Sequence, residues 1–261
     1  MEKYNKIGIN YNKTRKADSH LMERLYGYLQ PQKEGIYLDI GCGTGNYTIA
    51  LHEKKGMQFI GIEPATKMLE IAQSKCDSIE WRYGTAEQTG LEDASVDGIL
   101  ATLTLHHWQD LEAAFAEMYR VLKPNGRMVI FTSTPQQMRG YWLNRYFPKM
   151  LEKSMQQMPD FEVVEKYLKQ SSFQNIESEP YFVHTELKDL FLYAGKHEPH
   201  LYLHPNVRKG ISSFAELANQ AEVEKGLLDL EEDVHSGDWF AVKAGYENEE
   251  GDYLFVIAEK I

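Results

Sequence analysis

The run Leu38-Asp39-Ile40-Gly41-Cys42-Gly43-Thr44-Gly45 carries an apolar stretch into three glycines spaced two apart and then into a helical pattern. A strand that ends in a glycine-rich turn opening a helix lets the backbone approach a ligand where side chains would block it. Around this run, across residues 36–134, short β-rich segments alternate with helical ones, the order that builds a parallel sheet covered by helices. Strands are expected over 36–40, 57–62, 78–83, 96–102 and 127–134, and helices over 45–54 and 65–76. Leu111, Ala114, Phe115, Met118, Val121 and Leu122 then mark one face of a further helix. Lys123-Pro124-Asn125-Gly126 stops that helix and turns the chain.

The rest is less regular. Residues 141–158 are rich in aromatics and methionine, 161–169 have a helical pattern, and 175–184 suit a sixth strand. Residues 186–240 read as mostly helical, an insertion before an alternating final strand at 253–259 that follows a turn signal at 248–252. The expected fold class is therefore α/β, a doubly wound and mostly parallel sheet.

Composition narrows the function. At 261 residues the chain exceeds the usual size of roughly 100–200 residues per domain, although α/β domains of this length often fold as one unit. With 43% hydrophobic residues it can bury a sizeable core, and no window reaches the ~18 consecutive apolar residues of a membrane span. Lys and Arg number 28 against 39 acidic residues, and the net charge of -11 disfavours nucleic acid as a partner. Two cysteines, Cys42 and Cys76, are too few for a disulfide framework, and Met1 to Lys6 lack the apolar stretch of a signal peptide. A cytoplasmic protein with a small-molecule substrate and no membrane association is expected; oligomeric state is not legible.

The glycine turn binds a nucleotide-like cofactor, and spacing separates the possibilities. The dinucleotide fingerprint G-x-G-x-x-G fails, because Asn46 or Thr48 falls where its last glycine belongs. The phosphate-binding G-x-x-x-x-G-K-S/T pattern is absent near this turn.

Residues Asp39 to Gly45 match the D-x-G-x-G-x-G signature, and the chain here resembles the class I S-adenosylmethionine-dependent methyltransferases. Glu63, ending the second strand, stands where that family grips both ribose hydroxyls, and residues 64–69, with Pro64 and Met68, resemble its P-x-x-x-M-L stretch. Gly84-Thr85-Ala86-Glu87 resembles the turn that frames the adenine, residues 96–99 the fourth strand, and residues 120–127 the R-x-L-K-P-G-G turn. Two departures stand out: Thr85 replaces an aspartate, and Asn125 replaces the first glycine of the later turn. The N-terminal segment, with Ile7-Gly8, Tyr11, Thr14-Arg15 and Asp18, resembles the lid of a small-molecule subgroup that includes trans-aconitate-type enzymes. The resemblance implies a seven-stranded Rossmann-like sheet with S-adenosyl-L-methionine as cofactor. Arg15 would pair with its methionine carboxylate and Tyr11 would lie near the sulfonium. Asp39, Gly41, Cys42, Gly43, Gly45, Glu63, Pro64, Met68, Thr85, Ala86, Glu87 and Thr102 complete the implied cofactor set. The organisation it implies is a lid and helix at 1–35, the binding core at 36–134, an acceptor-side segment and sixth strand at 135–185, a helical cap at 186–240, and the closing strand at 241–261.

Methyl transfer from a sulfonium needs alignment and exclusion of water, and a base where the nucleophile arrives protonated. Leu105-His106-His107-Trp108 follows the fourth strand, so His106 or His107 is a candidate base; packing at a strand end is the rival reading. Metal is not expected, because adjacent histidines rarely aim at one ion and no partner follows at ligand spacing. Trp142 and Tyr146, with Tyr141, Phe147, Arg139 and Arg145, lie where the acceptor pocket is commonly walled, which suits an aromatic, even carboxylated, acceptor; core packing explains the stripe as well. Arg208 and Ser212, in a stretch resembling the subgroup's cap, are further pocket candidates. Two other readings stay open: a non-catalytic binder of the same cofactor acting as sensor or partner subunit, and a nicotinamide oxidoreductase, which fails on glycine spacing.

Overall fold

Tyr37 and Leu38 are neighbours on one strand, yet each is almost fully buried and each belongs to a different apolar cluster. That is the signature of a sheet covered on both faces, and it explains why its inner strands read as continuous apolar runs rather than alternating ones. The computed structural model describes residues 14–261. Its strands are β1 (Ile36–Ile40), β2 (Gln58–Glu63), β3 (Glu80–Tyr83), β4 (Val96–Thr102), β5 (Leu122–Thr132), β6 (Gln174–Tyr181) and β7 (Tyr253–Glu259). They form one seven-stranded sheet in the order β3-β2-β1-β4-β5-β7-β6. The first five pair in parallel; β7 pairs antiparallel with both β5 and β6, so the final strand fills an interior position.

Helices α1 (Ser19–Leu29) and α2 (Asn46–Lys55) pack on one face, while α3 (Thr66–Lys75) joins β2 to β3 and α4 (Leu111–Val121) packs on the opposite face. Asp18 caps α1, its carboxylate accepting the Leu21 N–H at 3.0 Å. Asp110 caps α4 in the same way through Ala113 N–H. The winding direction reverses between β1 and β4, so the loops at their carboxyl ends diverge and leave a crevice.

Several boundaries move from those expected. Gly45 precedes α2 as its cap, at φ +73°, instead of opening the helix. β5 begins at Leu122, because the 123–126 turn remains within the sheet, and Asn125 meets its left-handed backbone (φ +64°), a conformation asparagine tolerates better than most residues. The strand ends at Thr132, since Thr134 caps the short helix Pro135–Arg139 through a reciprocal bond with Gln137. β6 stops at Tyr181, and the Val183 N–H turns to the Asp252 carboxylate at 2.7 Å. Residues 186–219 are chiefly short turns; the sustained helix of the insertion is α5 (Gln220–Ser236).

Phe131 on β5 is fully buried at the junction of sheet and insertion, against the rings of Tyr253 (5.3 Å, stacked), Phe255 (4.9 Å) and Tyr181 (5.3 Å). Phe131→Ala is expected to lower unfolding free energy by about 3–5 kcal/mol in urea titration, since the rings that β6 and β7 pack on it cannot collapse together into the void. A loss below about 1 kcal/mol would show that this cluster does not hold the second half to the sheet.

Candidate active site

At the carboxyl ends of β1 and β4 lies a cavity of about 290 Å³, reaching from the glycine turn to the aromatic cluster beneath the insertion. The turn is suspended between two supports. On the β2 side, Gly41 and Cys42 donate their N–H groups to the Ile62 carbonyl at 2.8 and 3.1 Å. Glu63, 7% exposed, accepts the Gly43 N–H on one carboxylate oxygen and the Ala65 N–H on the other, each at 2.9 Å. On the α3 side, the Lys75 ammonium donates to the Thr44 carbonyl, the Thr44 hydroxyl and the Asn46 side chain at 2.9–3.1 Å. Burial brings the Lys75 pKa down to about 8.

The three glycines do different work. A Cβ on Gly41 would lie 2.0 Å from the Thr104 hydroxyl, and one on Gly45 would lie 2.5 Å from the Trp81 ring. Those two therefore serve close packing. At Gly43 (φ +57°) the nearest atom is the Met68 sulfur at 3.9 Å, so its missing side chain is space within the cavity.

Asp39 is 3% exposed and accepts the Thr48 hydroxyl at 2.5 Å. Burial, reinforced by the Glu63 charge, raises its pKa to about 7 despite that bond. Burial also raises the Glu63 pKa against the two N–H donors. Glu87 is held low, its carboxylate accepting the Gln109 and Asp110 N–H groups at 2.8 and 3.3 Å, although partial burial opposes this. Two buried polar atoms on the cavity-lining residues, Thr102 Oγ1 and His106 Nδ1, have no hydrogen-bond partner among the described residues. Such atoms are rare in a native interior, and on a cavity wall a ligand's polar groups can satisfy them. Burial pushes the His106 imidazole well below its usual pKa, helped by the charges of His107 and Arg15, so the ring is neutral.

Among the expected cofactor residues, Arg15, Asp39, Gly41, Cys42, Gly43, Glu63, Pro64, Met68, Thr85, Ala86, Glu87 and Thr102 all border the cavity, as do His106 and His107. Gly45 does not, and Tyr11 lies outside the described residues. The acceptor-side expectations need correction. Trp142 is fully buried, edge-on to Trp239 at 5.7 Å and to Tyr202 at 5.6 Å, with its indole N–H donated to the Lys196 carbonyl. Tyr146 packs on Trp142 and donates its hydroxyl to Asp233 at 2.8 Å. Arg208 turns back to the Tyr202 carbonyl, and Arg139 does not reach the lining. The far end is bordered instead by Met138, Tyr141, Met158, Phe191, Ile211 and Tyr253, with Ser212 from the cap; Asp189, which no local sequence signal picked out, borders the cavity beside Arg15 and Tyr47.

A family model described as a methyltransferase domain matches residues 38–130. An uncharacterised methyltransferase of Mycobacterium bovis is 33% identical over 114 residues, 44% of this chain; the match spans less than half, 46%, of that relative's length. A demethylmenaquinone methyltransferase of Oceanobacillus iheyensis is 30% identical over 60% of this chain and 68% of its own length. Over 94% of this chain, the crystal structure of a candidate methyltransferase from an antibiotic biosynthesis pathway of Anabaena variabilis superposes at TM-score 0.84 and 34% identity, with 98% of that structure covered.

The Asp39 shift has a stability consequence. Between about pH 4 and 7 the folded ligand-free protein keeps a proton on Asp39 that the unfolded chain, with the ordinary aspartate value of 3.8, has lost. Folding stability contributed by this site therefore falls as pH rises across that window and levels off above it. Asp39→Asn is expected to gain stability relative to wild type progressively from pH 4 to 7, read as a widening gap between urea midpoints. A gap that is constant with pH would mean that Asp39 is ionised throughout.

Proposed function

Because the chain belongs to the class I S-adenosylmethionine-dependent methyltransferases, we propose that it binds S-adenosylmethionine at the glycine turn and directs methyl transfer to an uncharged, largely apolar small molecule. The observation that carries this reading is the continuous cavity. One end has a carboxylate and a bare glycine backbone, the other an aromatic and methionine wall, and His106 borders the same space.

The residues at the turn fit the cofactor. A carboxylate offers about four acceptor sites, and Glu63 uses two on Gly43 and Ala65, leaving capacity for a ribose diol. Gly43 admits a ligand against its backbone, and the unpartnered Thr102 hydroxyl awaits a polar group. Thr85, Ala86 and Glu87 border the cavity from the loop after β3, where an adenine edge would be framed. Arg15 would hold the methionine carboxylate. When bound, S-adenosylmethionine supplies an electrophilic methyl carbon on a sulfonium, so no nucleophile of the protein is required.

At the acceptor end the chain's task is to orient and to exclude water. None of the residues named at that end carries a full charge, and Arg15, elsewhere on the cavity wall, is paired with Asp189. The Ser133 and Tyr141 hydroxyls lie 3.0 Å apart and share the Asp252 carbonyl, so their donors are already committed within the protein. A phosphate or carboxylate on the acceptor would enter this space without a partner, at a cost of several kcal/mol. That favours an uncharged acceptor over the carboxylated one that Arg139 and Arg145 suggested. Where the accepting atom carries a proton, neutral His106 can take it at Nδ1, and its lowered pKa keeps the basic form present through the neutral range.

A non-catalytic sensor would need only the cofactor end, and the apolar extension of the cavity supports transfer instead. Calorimetric titration of S-adenosylmethionine, its demethylated product and NAD tests the reading. The first two are expected to bind in the micromolar range and to weaken by about tenfold or more in Glu63→Ala. Binding of NAD alone would overturn the assignment. With an acceptor from a panel of neutral phenols and quinols, His106→Gln is expected to lower turnover by about 10²-fold. Cofactor affinity should stay nearly unchanged, and the wild-type rate should hold down to well below pH 6.5. Equal loss of turnover and cofactor affinity would remove His106 from the proton transfer.

A further inference from the structure

Asp189 is 1% exposed, sits in the insertion, and borders the cofactor end of the cavity. Its carboxylate receives the Arg15 Nε–H at 2.5 Å and Nη2–H at 3.0 Å, and the Tyr47 hydroxyl at 3.1 Å. Tyr47 lies in the first turn of α2, directly after the glycine turn, and the neighbouring Asn46 side chain donates to the Arg15 carbonyl at 3.1 Å. Arg15 contributes the one Lys or Arg side chain to the cavity lining among the described residues. A ligand carboxylate in the cavity would therefore find its cation on Arg15, whose direct carboxylate partner comes from the insertion.

We infer that Asp189 is a positioning residue for Arg15: it fixes the plane of the guanidinium so that the methionine carboxylate of the cofactor is gripped, an inference that rests on the cofactor reading above. A guanidinium presents its donors as a rigid fork, and a partner bound bidentately on one edge determines where the other edge points. Tyr47 sets the carboxylate in turn, so the start of α2 and the insertion aim Arg15 together. Attachment of the insertion to the N-terminal segment does not require this pair. The Leu190 N–H already donates to the Thr14 carbonyl at 3.3 Å and the Lys188 N–H to Asp18 at 3.1 Å, while His184 Nε2 lies 3.3 Å from Asp18. An attachment role alone would also not explain why a buried acid and its cation both border a ligand cavity.

The test compares two ligands that differ in the methionine arm. S-adenosylhomocysteine carries the carboxylate; 5′-methylthioadenosine lacks it and shares the adenine, ribose and sulfur. Calorimetry on wild type, Asp189→Asn, Tyr47→Phe and Arg15→Gln is expected to show about tenfold weaker S-adenosylhomocysteine binding in Asp189→Asn, with 5′-methylthioadenosine changed by less than about twofold. Tyr47→Phe should show a smaller loss with the same selectivity. Asp189→Asn should add little once Arg15 is Gln, the mark of residues acting through one another. Unchanged 5′-methylthioadenosine binding doubles as the check that each variant is folded. Equal weakening of both ligands would make Asp189 a general structural residue, and undiminished S-adenosylhomocysteine binding would remove it from the site; either overturns the inference while the cofactor reading stands. Binding of neither ligand by wild type would overturn the cofactor reading and this inference with it.

Discussion

The Glu63 carboxylate, accepting the Gly43 and Ala65 amide hydrogens, is the contact on which the site depends. The glycine turn has left β1 and not yet entered α2, so its backbone donors have no regular partner. Glu63 and the Ile62 carbonyl satisfy them from the end of β2, while Lys75 secures the far side from α3. The turn is thus held open from both flanks, chiefly through its backbone, with the Thr44 hydroxyl as the side-chain contact to Lys75. A cavity kept open in this way does not need its ligand to create it, which reduces what binding must spend on ordering the protein. The arrangement is electrostatically costly, since both acids are buried and the Glu63 charge adds to the upward shift of Asp39, whose mixed ionisation near neutrality is the trace of that cost.

Much of this half was legible because the information is local. A strand, a turn and an acid at the next strand's end are each specified within a few residues, and their spacing follows from β-α-β geometry. What the spacing could not divide was the labour among the three glycines. Thr104 and Trp81, which demand Gly41 and Gly45, come from β-strand neighbourhoods far along the chain, so Gly43 looks no different from its companions until the sheet is assembled. Asn125 was a departure from the family turn whose consequence was also hidden. The backbone is still left-handed there, and asparagine supplies it.

The second half resisted for the opposite reason. Residues 141–147 carry enough aromatic surface either to wall a pocket or to fill a core, and the choice depends on what arrives from elsewhere. Trp239, Tyr202 and Tyr193 arrive from the insertion and take Trp142 into the core, while the adjacent Tyr141, stacked 3.9 Å from Tyr193, keeps an edge on the cavity. Asp189 was illegible too. A single acid in a turn-rich stretch carries no periodic or motif signal, and its importance lies in a partner 174 residues away.

Charge at the cavity wall joins the two halves. The carboxyls of Asp39, Glu63, Glu87 and Asp189 border it against the guanidinium of Arg15, with His106 held neutral, so the described lining is acidic on balance. Each acid already has hydrogen-bond donors from the protein, which keeps it in place, but donors that are backbone amides or hydroxyls do not cancel its charge. In a cleft with low-dielectric walls that residual field is focused and favours a cationic ligand. A sulfonium carries the positive charge that the demethylated product lacks. On the cofactor reading proposed above, the same acids that make the turn expensive to fold would favour the charged donor over its neutral product.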